Sequence, residues 1–280
     1  MNIKFKKMHG CGNDYIYIDC IEKEQEFNFK EAAIKMSNRH FGVGGDGIVL
    51  ICRSNKADAL MRMFNADGTE GKMCGNAIRC VAKYLYESGK VEKTKMEIET
   101  LSGIKTLFLE VNGKEVESVT VNMGVPDFKS SSMPLKTDDI EVILKEIEVE
   151  GKKYKVSCVS MGNPHCVVFL DCVEKLDVNA LGPKFYENKL FSDEVNIEFV
   201  EVVSRNRVIM RVHERGSKET LACGTGACAV AAVMVKTNIC LKEDEIFVKL
   251  SGGGLKISYK DDGIYMTGPA TMVFSGEMDI

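Results

Sequence analysis

The chain has 280 residues, with 37 Lys+Arg against 41 Asp+Glu for a formal charge of −4, and it is 45% apolar and 28% charged. At roughly 150 residues per domain this length reads as two domains, or one large one. The charge balance gives no electrostatic reason to expect nucleic acid or an anionic membrane as partner, and the composition is that of a folded globule. The longest nearly pure apolar run, residues 227–235, is far short of the ~20 residues that span a bilayer.

Residues 1–14 are basic with no apolar stretch behind them, so no secretory signal is expected and the chain is read as cytoplasmic. The glycine-rich stretch 42–47 looks like a phosphate loop but lacks the following Lys-Ser/Thr, and a tight turn near the site is expected instead. Residues 71–89 read as a helix, with Ile78, Val81, Ala82 and Leu85 at helical spacing and Gly89 as the stop. Residues 96–99, 119–123, 166–170, 196–203 and 208–212 are short, rich in Val, Ile and Phe, and read as strands. Residues 224–238 read as a second helix, apolar on every face and therefore buried on all sides. Lysine pairs 6–7 and 152–153 are expected on the solvated surface.

The sequence repeats itself. Met61-Arg62-Met63-Phe64-Asn65 aligns with Met210-Arg211-Val212-His213-Glu214, an offset of 149 residues, and the same register pairs Glu70 with Glu219, Cys74 with Cys223 and Gly75 with Gly224. Gly12-Asn13-Asp14 is echoed by Gly162-Asn163-Pro164. The fold class expected is α+β: two domains related by a pseudo-twofold axis, each a strand-rich, barrel-like sheet around a central helix, with the active site in the cleft between them. The first domain is taken as residues 1–124, joined by a returning segment at about 269–280, and the second as 125–268.

Eleven irregularly spaced cysteines without a CxxC pair, beside only four histidines, match neither a disulfide framework nor a zinc site, so a reduced compartment and no metal are expected. Cys11, Cys20, Cys52, Cys80, Cys158, Cys166, Cys172, Cys228 and Cys240 are read as packing residues. Cys74 and Cys223 differ. Each precedes a Gly, then a capping residue (Asn76 or Thr225), then a helix, whose first-turn amides carry partial positive charge. Such an end binds a carboxylate and favours thiolate over thiol. Two of them suit inversion of a carbon next to a carboxylate: one thiolate removes the α-proton while the other thiol protonates the opposite face. Nothing calls for pyridoxal phosphate.

Residues 64–70 leading to 73–80, with 214–216 leading to 219–228, closely resemble the diaminopimelate epimerase family, as do residues 7–15, 39–47 and 162–165. The resemblance implies a cofactor-independent isomerase that interconverts LL- and meso-diaminopimelate in lysine and peptidoglycan precursor synthesis. It further implies that Cys74 and Cys223 are the two bases, that the amides of Gly75, Asn76, Gly224 and Thr225 hold the reacting carboxylate, and that Asn13, Asn65, Asn163, Asn196 and Arg215 contact the substrate. His165 and Glu214 match positions that help the cysteines exchange protons. The partner implied is a small amino acid, and a homodimer is expected. His213 stands where relatives often carry an aromatic residue and Gly47 where some carry a longer polar one, both near the expected pocket. Alternatives are a racemase of another amino acid such as histidine, a dithiol redox or thiol-metal protein, and a binding module without chemistry.

Overall fold

A computed structural model describes residues 1–22 and 27–280. The chain divides into two compact units, residues 1–122 with 267–280, and residues 123–266.

In the first unit β1 (Asn2–Gly10) turns through Cys11 and Gly12, both at positive φ, into antiparallel β2 (Asn13–Cys20). Two residues at positive φ form the tight hairpin turn that matches strand twist, and they set Asn13 at the head of β2. Helix α1 (Phe29–Ser37) starts at Asn28, whose side chain accepts from the Glu31 amide. It leads to β3 (Gly47–Cys52), which lies parallel to β2, and then to antiparallel β4 (Ala59–Asn65). The short β5 (Glu70–Gly71) folds back on β4 before helix α2 (Gly75–Glu87). Next, β6 (Lys95–Thr100) runs parallel to β4, with β7 (Gly103–Asn112) and β8 (Glu115–Gly124) added antiparallel.

The second unit has the same order and the same sense of pairing. After β9 (Lys145–Val149) come β10 (Lys152–Ser160) and antiparallel β11 (Pro164–Leu170), then helix α3 (Val178–Tyr186). There follow β12 (Asn196–Ser204), parallel to β11, antiparallel β13 (Arg207–Glu214), and the short return β14 (Lys218–Thr220) before helix α4 (Gly224–Lys236). Strand β15 (Glu245–Leu250) is parallel to β13, β16 (Gly253–Lys260) is antiparallel to β15, and β17 (Gly263–Gly268) closes the unit's sequence. Finally β18 (Thr271–Asp279) pairs antiparallel with β1.

The expected strands and both expected helices are present, the first helix starting at Gly75 and not at 71, because Glu70–Gly71 pairs with β4 as a strand. Each of the two helices is 13 residues long and holds a core position. Helix α2 packs on β1, β2 and β7, and α4 on β10, β11, β12 and β16. Every residue from Ala227 to Met234 is fully buried, as an all-apolar helix surface requires. Gly89, at positive φ just past the Ser88 cap, ends α2. Two further helices, α1 and α3, were not expected from the sequence. They cover the other face, α1 against β2, β3 and β4, α3 against β13 and β14.

Two expectations on packing are corrected. Lys7 is buried, not solvated, because its ammonium pairs with Asp14 and the Gly44 carbonyl. Among the cysteines read as packing residues, Cys172 is exposed and Cys52 only half-buried.

Candidate active site

The capping residues are Cys74 and Cys223 themselves, in extended conformation, with Gly75 and Gly224 opening the helices. Asn76 and Thr225 therefore lie inside the first turn, one residue beyond the glycine, and not at the cap as the sequence suggested. The consequence is favourable for chemistry: each sulfur sits at the positive end of a helix, beside amides that have no earlier helical carbonyl to bond.

In the first unit the Cys74 thiol donates to Asn13 Oδ1 at 3.2 Å, and the same oxygen accepts from Asn76 Nδ2 at 3.3 Å. Asn13 Nδ2 donates to Asp46 Oδ2 at 2.7 Å, so the amide cannot turn over without losing all three bonds. Arg39 clamps Asp46 at 2.9 Å and Asp14 at 2.7 Å. Burial pushes the Asp14 carboxyl up, but hydrogen bonds from Arg39 and Lys7 outweigh it and hold the group below its ordinary value. Stretch 42–47 is thus the brace of Asn13. Beneath the helix start, fully buried Arg79 donates to Asn76 Oδ1 at 3.0 Å and to the Gly75 carbonyl at 3.1 Å. Asn65 lies at the β4–β5 turn with its Nδ2 on Thr69 Oγ1, 3.0 Å away.

In the second unit period-two alternation and strand register put His165, Asn196, Glu198 and Glu214 on one sheet face. His165 Nδ1 is 2.6 Å from Glu198 Oε1, and Nε2 is 3.0 Å from Asn163 Oδ1. Asn163 Nδ2 reaches Thr225 Oγ1 at 3.3 Å, and that hydroxyl lies 3.5 Å from Cys223 Sγ. The Gly226 amide donates to the same sulfur at 3.4 Å. Asn196 Oδ1 accepts from the Arg215 amide at 2.9 Å, which shapes the turn but leaves the guanidinium exposed, with no acidic partner among the described residues.

The electrostatics differ from the expectation that a helix start lowers the cysteine pKa. Burial, then the Glu214 and Glu198 carboxylates, push Cys223 well above 9.0, against smaller opposing pulls from Thr225 and Gly226. Burial, helped by the two acids, outweighs the pulls of Thr225 and the first-turn amide. Burial also raises Glu214 above 4.5, although Thr220 and the Cys223 thiol both donate to it. Cys223 is therefore held as a thiol at neutral pH, with Glu214 as a hydrogen-bond acceptor for it. The structure thus groups Asn13, Gly75 and Asn76 around Cys74, and Asn163, His165, Glu214, Gly224 and Thr225 around Cys223. Asn65 bonds within its own turn, and Asn196, at the start of β12, bonds the Arg215 backbone in the turn after β13.

The diaminopimelate epimerase family model matches residues 5–129 and 157–273, most of the chain and both copies of the repeat. The chain belongs to the diaminopimelate epimerase family. Relatives bearing that name include those of Acetivibrio thermocellus, 48% identical over 99% of both chains, and of Methanococcus maripaludis, 48% identical over 99% of this chain and 100% of its own. Solved structures with the same fold include a hydroxyproline epimerase from Agrobacterium vitis, at TM-score 0.71 and 14% identity over 99% of this chain and 92% of that one. A phenazine biosynthesis protein of Bacillus anthracis has TM-score 0.71 and 20% identity over the full length of both.

Gly47 and His213, expected near the pocket, each sit in close packing. Gly47 pairs with Asn65 so closely that a Cβ would lie 2.1 Å from the Phe64 carbonyl oxygen, which leaves no room for a longer side chain. His213 is not on the face of Glu214. It packs under α3, within 2.4 Å of where a Gly182 Cβ would stand and 5.9 Å from the Tyr186 ring, and burial lowers its pKa. Three site residues escaped the sequence reading: Asp46, Arg79 and Glu198. Glu198 had a usable signal, an acid inside the apolar run Ile197 to Val200; the other two carry no pattern of their own.

Proposed function

We propose that the chain interconverts LL- and meso-diaminopimelate without a cofactor, using Cys74 and Cys223 as the two bases on opposite faces of one α-carbon. The observation that carries this is the repeated cysteine cap: each unit presents one sulfur at a helix start, next to amides suited to a carboxylate. Removing an α-proton moves charge onto the carboxylate oxygens, where the amides of Gly75, Asn76, Gly224 and Thr225 stabilise it. Each such donor contributes roughly 3–4 kcal/mol at the transition state.

The surroundings of Cys223 support a starting role for it as the acid. Cys223, held as a thiol by its neighbours, protonates the carbanion that Cys74 generates, and Glu214 with His165 restores or removes that proton for the next turnover. Arg215, exposed and without an acid partner among the described residues, is suited to grip the distal carboxylate bidentately. Asn13, Asn65, Asn163 and Asn196 offer both donors and acceptors to the distal amino acid end. This reading places the enzyme in the cytoplasm, as a homodimer acting on a small amino acid. The test is incubation with LL-diaminopimelate in deuterated water, followed by NMR. The expected result is α-deuterium in the inverted product with no added cofactor, and no turnover of L-histidine. Turnover of histidine alone would overturn the substrate.

A further inference from the structure

Four polar contacts link a carboxylate with no solvent exposure to the Cys223 sulfur. They run from Glu198 Oε1 to His165 Nδ1 (2.6 Å), from Nε2 to Asn163 Oδ1 (3.0 Å), from Nδ2 to Thr225 Oγ1 (3.3 Å), and on to Sγ (3.5 Å). The His165 and Glu198 side chains are both 0% exposed. Glu198 Oε2 has no hydrogen-bond partner among the described residues. An incompletely satisfied buried carboxylate is expensive in stability, and the backbone makes room for it: a Cβ on Gly226 would lie 2.8 Å from Oε1. A carboxylate only accepts, so the short contact fixes a proton on Nδ1.

We propose that Glu198 is a positioning residue that pins the Nδ1 proton of His165, so that the ring gains and loses its other proton at Nε2, the end of the chain that leads to Cys223. With Nε2 protonated, His165 donates to Asn163 Oδ1, Asn163 Nδ2 donates to Thr225, and the threonine hydroxyl is left to donate to sulfur. That polarity suits a thiolate. With Nε2 bare, Asn163 turned over gives its N–H to the ring and its carbonyl to the Thr225 hydroxyl, whose oxygen then accepts from S–H. That polarity suits a thiol. The ring bonds Glu198 from β12 and Asn163 before β11, and Glu214 from β13 interacts with it electrostatically. The consequence for turnover rests on the epimerase reading, whereas the ring state does not.

The test uses the whole protein labelled with ¹⁵N-histidine and read without substrate, His165 being assigned by its loss in His165→Asn. At every pH where the protein stays folded, Nδ1 is expected to stay protonated and Nε2 alone to change. Glu198→Met should move the neutral ring to the Nε2–H form and lower kcat roughly tenfold with KM within about twofold. Glu198→Gln, which keeps an acceptor, should recover part of both. A wild-type ring that loses its proton from Nδ1 would overturn the proposal whatever the variants do. So would Glu198→Met with the wild-type ring state and kcat. Failure on diaminopimelate alone would leave the ring result standing and fall on the substrate.

Discussion

Arg79 is the largest of the fully buried side chains, and its guanidinium donates to the Gly75 carbonyl, Asn76 Oδ1 and the Pro269 carbonyl. It ties the start of α2 to the returning C-terminal segment and fixes the Asn76 amide that in turn orients Asn13. Hydrogen bonds to a charged group are worth about 1.5–3 kcal/mol each, part of which is offset by no longer burying the charge. Arg79→Met is therefore expected to cost roughly 2–4 kcal/mol, seen as a lower urea midpoint, and to reduce kcat because Asn13 and Cys74 lose their brace. On the Cys223 side, Glu214 must be a carboxylate to accept the thiol proton, and burial raises it above 4.5. The acid limb of kcat/KM should accordingly lie above the ordinary carboxylate range, and Glu214→Gln should give a low rate without that limb. Neither residue's role was visible in the sequence in full. Glu214 was marked by its place before the second cysteine motif, but Arg79 sits in a helix like any solvated arginine, and only the packing of α2 against β1 and β2 turns it inward.

At the scale of elements, α2 and α4 begin and end at positions separated by the same 149 residues that relate the two cysteines. That offset made both helices legible, aided in α2 by helical spacing and Gly89. The caps were not, because a cysteine is a weak capping residue and the sequence favours Asn76 and Thr225; the extended backbone at Cys74 and Cys223 decides otherwise. Gly226 tests the element directly. Alanine there is better in a helix by about 1 kcal/mol, yet its Cβ would stand 2.8 Å from Glu198 Oε1 and 3.3 Å from Cys223 Cβ. Gly226→Ala should displace the carboxylate and lower kcat about tenfold while leaving the far-ultraviolet circular dichroism unchanged. Unaltered kinetics would show that Glu198 yields at no cost.

Across the whole molecule, each unit repeats one order of strands and helices, and this is why an internal sequence match could reveal the architecture before any element was placed. It also gives the protein a population of buried acids. Burial raises Cys80 and Cys240 from 9.0 to about 11 and lifts Tyr17 well above 10.0. In the unfolded chain these groups ionise near their ordinary values, while in the folded chain they stay neutral. The stability they contribute is therefore complete below about pH 9 and is lost as pH rises toward about 11. The urea midpoint should fall over that window, and Cys80→Ala should flatten the fall by at most about 3 kcal/mol. Stability that rises there would contradict the burial of these groups. The central claim is that one sulfur from each repeat acts on the same stereocentre. Its most direct measurement is α-deuterium exchange on LL-diaminopimelate, compared for the wild type, Cys74→Ser and Cys223→Ser. Epimerisation should fall at least a hundredfold in each single variant, and wild-type inversion by either one would refute the two-sulfur mechanism.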